Sequence, residues 1–483
     1  MIRFFAGFGI GVLSVGSLGV GIIFSVQAYQ QALSSASLEE EKSPEEKIQQ
    51  AEILLSEDVQ YVVDNQSEQK EVQGDTFSIN DAFGAPLGYA PDIIRAVYLT
   101  SWSASSSAQV DYAISLAKNT DINAVVIDIK DYSGIVSYNT SVLEAEKYGA
   151  EHWRIRDMTG LIERLHKEGI YVIARITVFQ DPILAVSRPS LAVHSVRGLN
   201  KEAFEQVKQD IIAANKAQES EEAGIGVSQE NDKEEQMERD AITQLLGQGG
   251  IEEALNEENL TAATIWRDNK ELPWMDPSAK EVWEYNIAIA KDAISRGFDE
   301  INFDYIRFPS DGILADMSFP VWDREAPRSQ VIQELFQYVS EELSGTPISV
   351  DLFGLTTVQA DDLGIGQLIE TAYGNFDYVS PMVYPSHYAP GFRGFANPTE
   401  HPYEVVEYSM RRAEERLNLF VSANEMSRPT KLRPWLQDFS ILGVDYGMKE
   451  VGDQIQATKD ALEDNYVGYM LWSPRNIYTE AAL

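Results

Sequence analysis

The sequence predicts an α/β protein built as a closed (β/α)8 barrel. Short β-branched segments alternate with helical segments from residue 95 onward, and eight such units follow one another. Apolar strands that alternate with helices indicate a parallel sheet covered by helices, and eight units favour a TIM barrel. An open doubly wound sheet is the alternative, but the first strand is followed by TSWSASS where a nucleotide-binding sheet has a glycine-rich turn.

The strand segments are rich in Val, Ile, Tyr and Phe, and the segments between them repeat apolar residues at helical spacing. The predicted strands are residues 95–100, 122–131, 171–179, 300–308, 348–354, 377–385, 432–439 and 466–474. The predicted helices include residues 109–118, 158–168, 279–296, 328–343, 402–416 and 448–463. The barrel domain is therefore assigned to residues 91–483.

The connection between the third and fourth strands is too long for an ordinary loop. Within it, residues 200–260 carry 16 acidic and 5 basic residues. We interpret residues 197–262 as an acidic helical or disordered insertion in a barrel loop, and not as a second catalytic domain.

Residues 1–28 are predicted to form a transmembrane anchor. The segment 4–26 is uncharged and mostly apolar, and it is long enough to cross a hydrocarbon core of about 30 Å. Arg3 precedes it and acidic residues follow from Glu39, which leaves the body of the protein outside the cytoplasm. A cleavable signal segment ending at Ala28, and hence a secreted protein, is the alternative. Residues 29–90 are predicted to form a stalk or linker.

The chain is strongly acidic, with 76 Asp and Glu against 38 Lys and Arg and a formal net charge of −38. It lacks the basic footprint that binds nucleic acid through its phosphates, so no nucleic-acid partner is expected. The absence of Cys excludes a disulfide scaffold, a thiolate zinc site and a Cys nucleophile. With only five His, the sequence predicts no metal centre and no cofactor.

Polar residues gather where the predicted strands end, which is where (β/α)8 barrels carry their active sites. They are Asp128, Lys130, Asp131, Arg175, Asp304, Arg307, Asp351, Tyr384, His387, Gln437, Asp438, Ser473 and Arg475. Each has a structural alternative: an Asp can cap a turn, Lys130 can neutralise Asp128, and Arg175 and Arg307 can pair with barrel carboxylates. Carboxylates on core strands are nevertheless costly unless they are paired or hydrated, and a functional barrel mouth explains them together.

Aromatic residues surround the same mouth. They are Trp102, Trp266, Trp274, Tyr384, Trp435 and Trp472. Sugar rings stack on aromatic planes, and glycosidic cleavage needs one protonated and one ionised carboxyl group but no metal or cofactor. Core packing is the alternative role for these aromatic residues.

Several segments in order resemble a family of putative glycoside hydrolases with an α-amylase-like (β/α)8 barrel. They are VVIDIKDYSG, WRDNKELPWMDPSAKEVWEYNIAIAKDAISRGFDEINFDYIRFPSDG, SVDLFG, FDYVSPMVYPSHY and LRPWLQDF. The resemblance runs from about residue 93 to the C-terminus and is interrupted near residues 197–262.

The resemblance implies roles for individual residues. Asp304 lies where the α-amylase clan has its nucleophilic Asp, and Asp351 where that clan has a Glu acid/base. Asp438 corresponds to the clan's third carboxylate, whereas Arg307 follows Asp304 although the clan's Arg precedes its Asp. These departures leave retaining and inverting mechanisms open, which differ in carboxyl separation, about 5–5.5 Å against about 6.5–9.5 Å.

The sequence thus predicts an exported, membrane-tethered glycoside hydrolase that acts on a polysaccharide. Asp304 is the expected nucleophile or general base and Asp351 the general acid, supported by Asp128 and Asp438. The expected substrate-binding residues are Lys130, Arg175, Arg307, Trp274, Tyr384, His387, Trp435, Gln437 and Trp472. The alternatives are a non-catalytic glycan-binding or envelope protein on the same barrel, and a metal-dependent hydrolase using Asp128, Asp304 and His387.

Overall fold

The computed structural model describes residues 87, 90–219, 240–244, 258–424, 430–441 and 443–483. The chain divides into two compact units, residues 1–75 with 419–426 and residues 76–418 with 427–483. The predicted anchor, and the predicted stalk except for residues 87 and 90, lie outside the described residues. Within the described part of the chain, no helix combines the length and apolarity needed to cross a membrane.

The second unit contains a closed barrel of parallel strands, as the sequence predicts. The strands are β1 (Ile94–Leu99), β2 (Ala124–Lys130), β3 (Tyr171–Thr177), β4 (Glu300–Asp304), β5 (Ile348–Phe353), β6 (Tyr378–Met382), β7 in two pieces (Lys431–Leu432 and Trp435–Gln437) and β8 (Gly468–Trp472). Each pairs with the next, and β8 pairs with β1 through Ile94 opposite Gly468, which closes the barrel. Pro434 lies between the two pieces of β7 and has no N–H to donate to a strand ladder.

Helices follow most of the strands, and all six predicted helices are present. They are Ser107–Asn119, Met158–Lys167, Lys280–Ser295, Arg328–Glu342, Pro402–Asn424 and Met448–Leu462. Shorter helices occur at Ser101–Ala104, Leu143–Lys147, Pro182–Ser187, Val196–Leu199 and Ile369–Ala372. The helix Met158–Lys167 illustrates the local logic, because the Asp157 side chain caps its first turn by accepting from Gly160 N at 2.9 Å.

Part of the predicted acidic insertion is helical. The helix Lys201–Glu219 packs Phe204 and Val207 against Ala241 and Ile242, and these four residues are buried. At the carboxyl end of the barrel, the strand His194–Ser195 pairs antiparallel with Met317–Ser318. This small sheet ties the loop after β3 to the loop after β4.

The barrel interior holds alternate residues of the strands, and at its amino end it contains a buried ion pair. Arg433 donates to both carboxylate oxygens of Glu300, and neither residue is exposed to solvent. Ser349 Oγ donates to Glu300 Oε1 at 2.6 Å, and the Tyr378 ring lies 4.2 Å from the guanidinium carbon of Arg433. Because both charges are paired and hydrogen-bonded, we assign this cluster to the support of the barrel.

Candidate active site

One guanidinium group joins three carboxylates at the carboxyl end of the barrel. Arg175 Nη1 lies 2.6 Å from Asp128 Oδ1, its Nη2 donates to Asp304 Oδ2, and its Nε lies 3.5 Å from Asp351 Oδ2. The three carboxylates come from β2, β4 and β5, and the arginine comes from β3. The prediction that Arg175 pairs with barrel carboxylates is confirmed, and three of the four predicted catalytic residues lie together.

Strand register explains this meeting. Asp128 pairs with Arg175 across β2 and β3, and Thr177 pairs with Asp304 across β3 and β4. Asp304 ends β4, and the next residue, Tyr305, adopts a left-handed conformation with φ of 53°. A non-glycine residue in this region costs on the order of 1–3 kcal/mol, and such residues cluster at functional sites. The turn also lets Tyr305 N donate to Asp304 Oδ1 at 2.6 Å.

Asp351 is the least exposed of the three carboxylates, and its two oxygens have different surroundings. Its Oδ1 accepts hydrogen bonds from Asn302 Nδ2 at 2.8 Å and Trp435 Nε1 at 2.7 Å. Its Oδ2 is buried and has no hydrogen-bond partner, because the Arg175 contact at 3.5 Å is an ion-pair distance without hydrogen-bond geometry. Burial, followed by the charge of Asp304, raises the pKa of Asp351 to about 8. Its environment therefore favours the protonated form of the carboxyl group.

Asp128 is fully engaged by the protein. Tyr98 OH donates to Oδ2, and Arg175 donates to Oδ1. Burial raises the pKa of Asp128, and the opposing effects of Arg175 and Tyr98 are smaller. Sequence reasoning missed Tyr98, although it shares a strand face with Ile94 and Ala96 and could have been found by that alternation.

Aromatic rings form one side of the mouth. Tyr384 and Trp472 have ring centroids 5.9 Å apart, and Phe439 lies 5.0 Å from Trp472. Trp472 is half-buried and Tyr384 is buried. The predicted stacking residues Trp274 and Trp435 are both buried, and their indole N–H groups donate to aspartates, Trp274 to Asp268 at 3.0 Å and Trp435 to Asp351. Of the four predicted stacking residues Trp274, Tyr384, Trp435 and Trp472, Trp472 has the most accessible ring.

Lys130 lies outside this network, which corrects its predicted place at the substrate site. It is fully buried, and its ammonium contacts Asp181 Oδ2 at 2.8 Å and Thr177 O at 2.6 Å. Simple alternation would put Lys130 on the same face as Asp128, but the pairing of β2 with β3 shifts register between these two residues. That irregularity turns Lys130 away from the barrel interior.

Two other predicted polar residues fix loops instead of joining the carboxylates. Asp438 accepts from Thr479 N at 2.8 Å and Thr479 Oγ1 at 2.7 Å, which holds the C-terminal segment. Gln437 is fully buried and binds Ser386 Oγ at 2.8 Å and Phe439 O at 2.9 Å. Within the described residues, neither Gln437 nor Asp438 contacts Asp304 or Asp351, so Asp438 occupies a structural position.

His387 lies in the loop after β6 and Arg307 in the loop after β4. His387 is exposed, its ring centroid lies 5.2 Å from that of Tyr384, and partial desolvation lowers its pKa. Arg307 is buried, and within the described residues no carboxylate lies within 4.0 Å of it. The prediction that Arg307 pairs with a barrel carboxylate is therefore wrong, because aromatic rings surround its guanidinium.

The described residues contain no group of three or more His, Asp or Glu side chains arranged to hold a metal ion. Between Asp128 and Asp304 lies the guanidinium of Arg175, which takes the position that a cation would need. The residues proposed for a metal-dependent reaction thus do not fit one.

Comparison with known protein families gives one match. A family model described as a putative glycosyl hydrolase domain matches residues 96–231 and 245–478. No curated protein sequence matches the chain at a significant level.

Among solved structures, a hypothetical protein from Ruminiclostridium thermocellum is 29% identical, with a TM-score of 0.37, and the match covers 56% of this chain and 98% of that one. An α-galactosidase from Thermus thermophilus in complex with stachyose is 12% identical, with a TM-score of 0.41, covering 82% of this chain and 65% of that one. An α-L-fucosidase from Paenibacillus thiaminolyticus is 10% identical, with a TM-score of 0.43, covering 81% and 47%.

Proposed function

The chain belongs to the putative glycosyl hydrolase domain family, and from this premise we propose that it hydrolyses glycosidic bonds with Asp351 as general acid and Asp304 as nucleophile or general base. The observation that supports the proposal is the unlike pair of carboxyl groups. Asp351, with a pKa raised to about 8, lies beside Asp304, and both contact the same guanidinium. Glycoside hydrolysis requires such a pair, one group protonated and the other ionised.

Asp351 would deliver its proton from Oδ2. That oxygen has no hydrogen-bond partner, whereas Oδ1 already accepts from Asn302 and Trp435. A glycosidic oxygen brought to Oδ2 would receive the proton as the bond to the anomeric carbon breaks. The leaving group then departs as a neutral alcohol, and Asp351 becomes a carboxylate next to the Nε of Arg175.

Asp304 would act on the anomeric carbon. Arg175 and Tyr305 N each donate to one of its oxygens, which fixes the orientation of the carboxylate. In a retaining reaction Asp304 forms the glycosyl ester and water later cleaves it. In an inverting reaction Asp304 removes a proton from the attacking water.

We also propose that the protein works outside the cytoplasm, tethered by residues 4–26, on a cell-surface or environmental polysaccharide. The apolar, uncharged segment after Arg3 is the basis of this proposal. Protease treatment of intact cells tests it: the folded domain should be lost from intact cells, and protection until lysis would contradict an external location.

A non-catalytic glycan-binding protein is the second candidate. It is favoured by the low exposure of the carboxylates, 4% for Asp304 and 1% for Asp351, and by the ion-pair contact of Asp351 with Arg175. A binder would use Trp472 and its neighbouring rings but would not depend on a protonated Asp351.

Hydrolysis of a panel of α- and β-linked glycans by the full-length chain distinguishes the two candidates. Asp304→Asn and Asp351→Asn should each lower the rate by at least about 100-fold, since they remove the two reacting groups. Asp464→Asn, at an exposed position remote in sequence from the strand ends, is the matched control. Retained glycan binding without cleavage by the wild type would favour the binding protein.

A further inference from the structure

Arg307, in the loop after β4, has a buried guanidinium with a free edge. Only 6% of the residue is exposed, and its Nη1 donates to Phe308 O at 3.1 Å and Ser310 Oγ at 3.0 Å. Within the described residues, Nε and Nη2 have no partner. Neither atom is among the fully buried groups that lack a hydrogen bond, so this edge reaches accessible space.

Aromatic rings surround the group. The guanidinium carbon lies 4.6 Å from the ring of Trp274, 4.7 Å from Phe353 and 5.3 Å from Tyr305. Rings attract a cation through their faces, but they are much weaker acceptors for the N–H groups of a guanidinium edge than a carboxylate or carbonyl oxygen is. A buried charge that is neither paired nor fully hydrogen-bonded is costly, and burial lowers the pKa of Arg307. A ligand anion would relieve that cost.

The Arg307 guanidinium lies next to the candidate active site. Tyr305 directly follows Asp304, and Phe353 follows Asp351 by two residues on the same strand and hence on the same face. The two rings that flank Arg307 are thus the continuation of the two strands that carry the reacting carboxyl groups. A sugar bound against Asp304 and Asp351 would present its substituents to this region.

We propose that Arg307 binds the carboxylate of a uronic acid unit in the substrate, an inference that rests on the proposed glycosidase function. Two parallel N–H groups on one edge of a guanidinium match the two oxygens of a carboxylate, and such bidentate pairs are strong and selective. The chain itself has a net charge of −38 and repels polyanions at long range. Recognition of an acidic glycan therefore has to come from a short-range contact of this kind.

The test compares uronate-containing polysaccharides with the same polymers after chemical reduction of their carboxylates to alcohols, and with sulfated neutral polysaccharides. The full-length wild type should cleave the uronate polymer at least about 10-fold faster than its reduced form. Arg307→Gln should lower kcat/KM on the uronate polymer by about 10- to 100-fold, mostly through KM, and leave the reduced polymer unaffected. Arg412→Gln, at an exposed arginine paired with Glu415, is the control.

The outcomes separate this inference from the function on which it rests. Equal cleavage of the uronate and reduced polymers would overturn the Arg307 assignment but would leave the proposed glycosidase function standing. A preference for the sulfated polymer would overturn the proposal that the bound anion is a carboxylate. If the wild type cleaves nothing, the proposed function fails, and affinity electrophoresis still tests Arg307: retardation by the uronate polymer, lost in Arg307→Gln, supports the subsite, and its absence overturns it. Arg307→Lys keeps the positive charge but lacks the two parallel N–H groups of a guanidinium. It should therefore show the same selective loss on the uronate polymer, and it serves as the test if Arg307→Gln does not fold.

Discussion

The indole Nε1 of Trp435 donates a 2.7 Å hydrogen bond to Oδ1 of Asp351. Trp435 comes from β7 and Asp351 from β5, and β6 lies between these two strands in the sheet. The bond therefore runs through the barrel interior, on the inner side of β6. It leaves the buried Oδ2 as the oxygen of Asp351 without a hydrogen-bond partner. The bond thus orients the proposed acid, and it also opposes the rise in the pKa of Asp351 that burial causes.

Trp435→Phe removes this bond and keeps most of the ring. We expect a loss of about 1–2 kcal/mol in the free energy of unfolding and roughly 10-fold in kcat. Because the bond lowers the pKa of Asp351, its loss should move the alkaline limb of the pH–rate profile to higher pH. An unchanged limb with reduced kcat would mean that Trp435 only packs.

The pH dependence of stability reports the protonation of Asp351. Its pKa is raised to about 8 in the folded protein, so the folded state holds the proton more tightly than the unfolded state. The resulting stability is complete below the ordinary aspartate pKa of about 3.9 and is lost as pH rises through about 8. Asp351→Asn, which cannot ionise, should therefore gain at least about 1 kcal/mol relative to the wild type between pH 5 and pH 9.

Urea unfolding at both pH values measures that difference, with Asp464→Asn as a control whose difference from the wild type should not change. A constant difference for Asp351→Asn would show that Asp351 is ionised throughout this range and cannot be the acid.

Arg175→Met should destabilise the protein more than any exposed arginine variant does. It leaves Asp128, Asp304 and Asp351 buried without their cation, which costs about 3–5 kcal/mol at pH 8. Lowering the pH to 5 should recover part of the loss, because burial raises the pKa of Asp128 and of Asp351, and their protonated forms need no counter-charge. Arg164→Met breaks an exposed pair with Asp111 and should cost no more than about 1 kcal/mol at either pH. Equal losses for the two variants would argue against Arg175 as the centre of the network.

How far the sequence predicts this site depends on how each residue is positioned. The meeting of Asp128, Arg175 and Asp304 follows from parallel strands, whose carboxyl ends converge whatever the loops do. The bond from Trp435 to Asp351 requires an indole that reaches across the barrel interior. Strand alternation predicts the face on which a side chain lies, but it does not predict its partner across the barrel. The surroundings of Arg307 depend on the long connection between β3 and β4, which brings Trp274 over it.

Lys130 gives the opposite case, since alternation predicts the wrong face. It stands two residues after Asp128, but the register shift between them sends its side chain to Asp181, and both side chains are almost fully buried. Lys130→Met should therefore cost about 3–5 kcal/mol in unfolding free energy by leaving Asp181 unpaired. Because Lys130 does not reach the carboxylate network, kcat/KM per folded molecule should stay within about twofold of the wild type. Lys449→Met, at an exposed lysine paired with Asp453, should change neither quantity appreciably. A rise in KM for Lys130→Met with stability intact would return Lys130 to the substrate site.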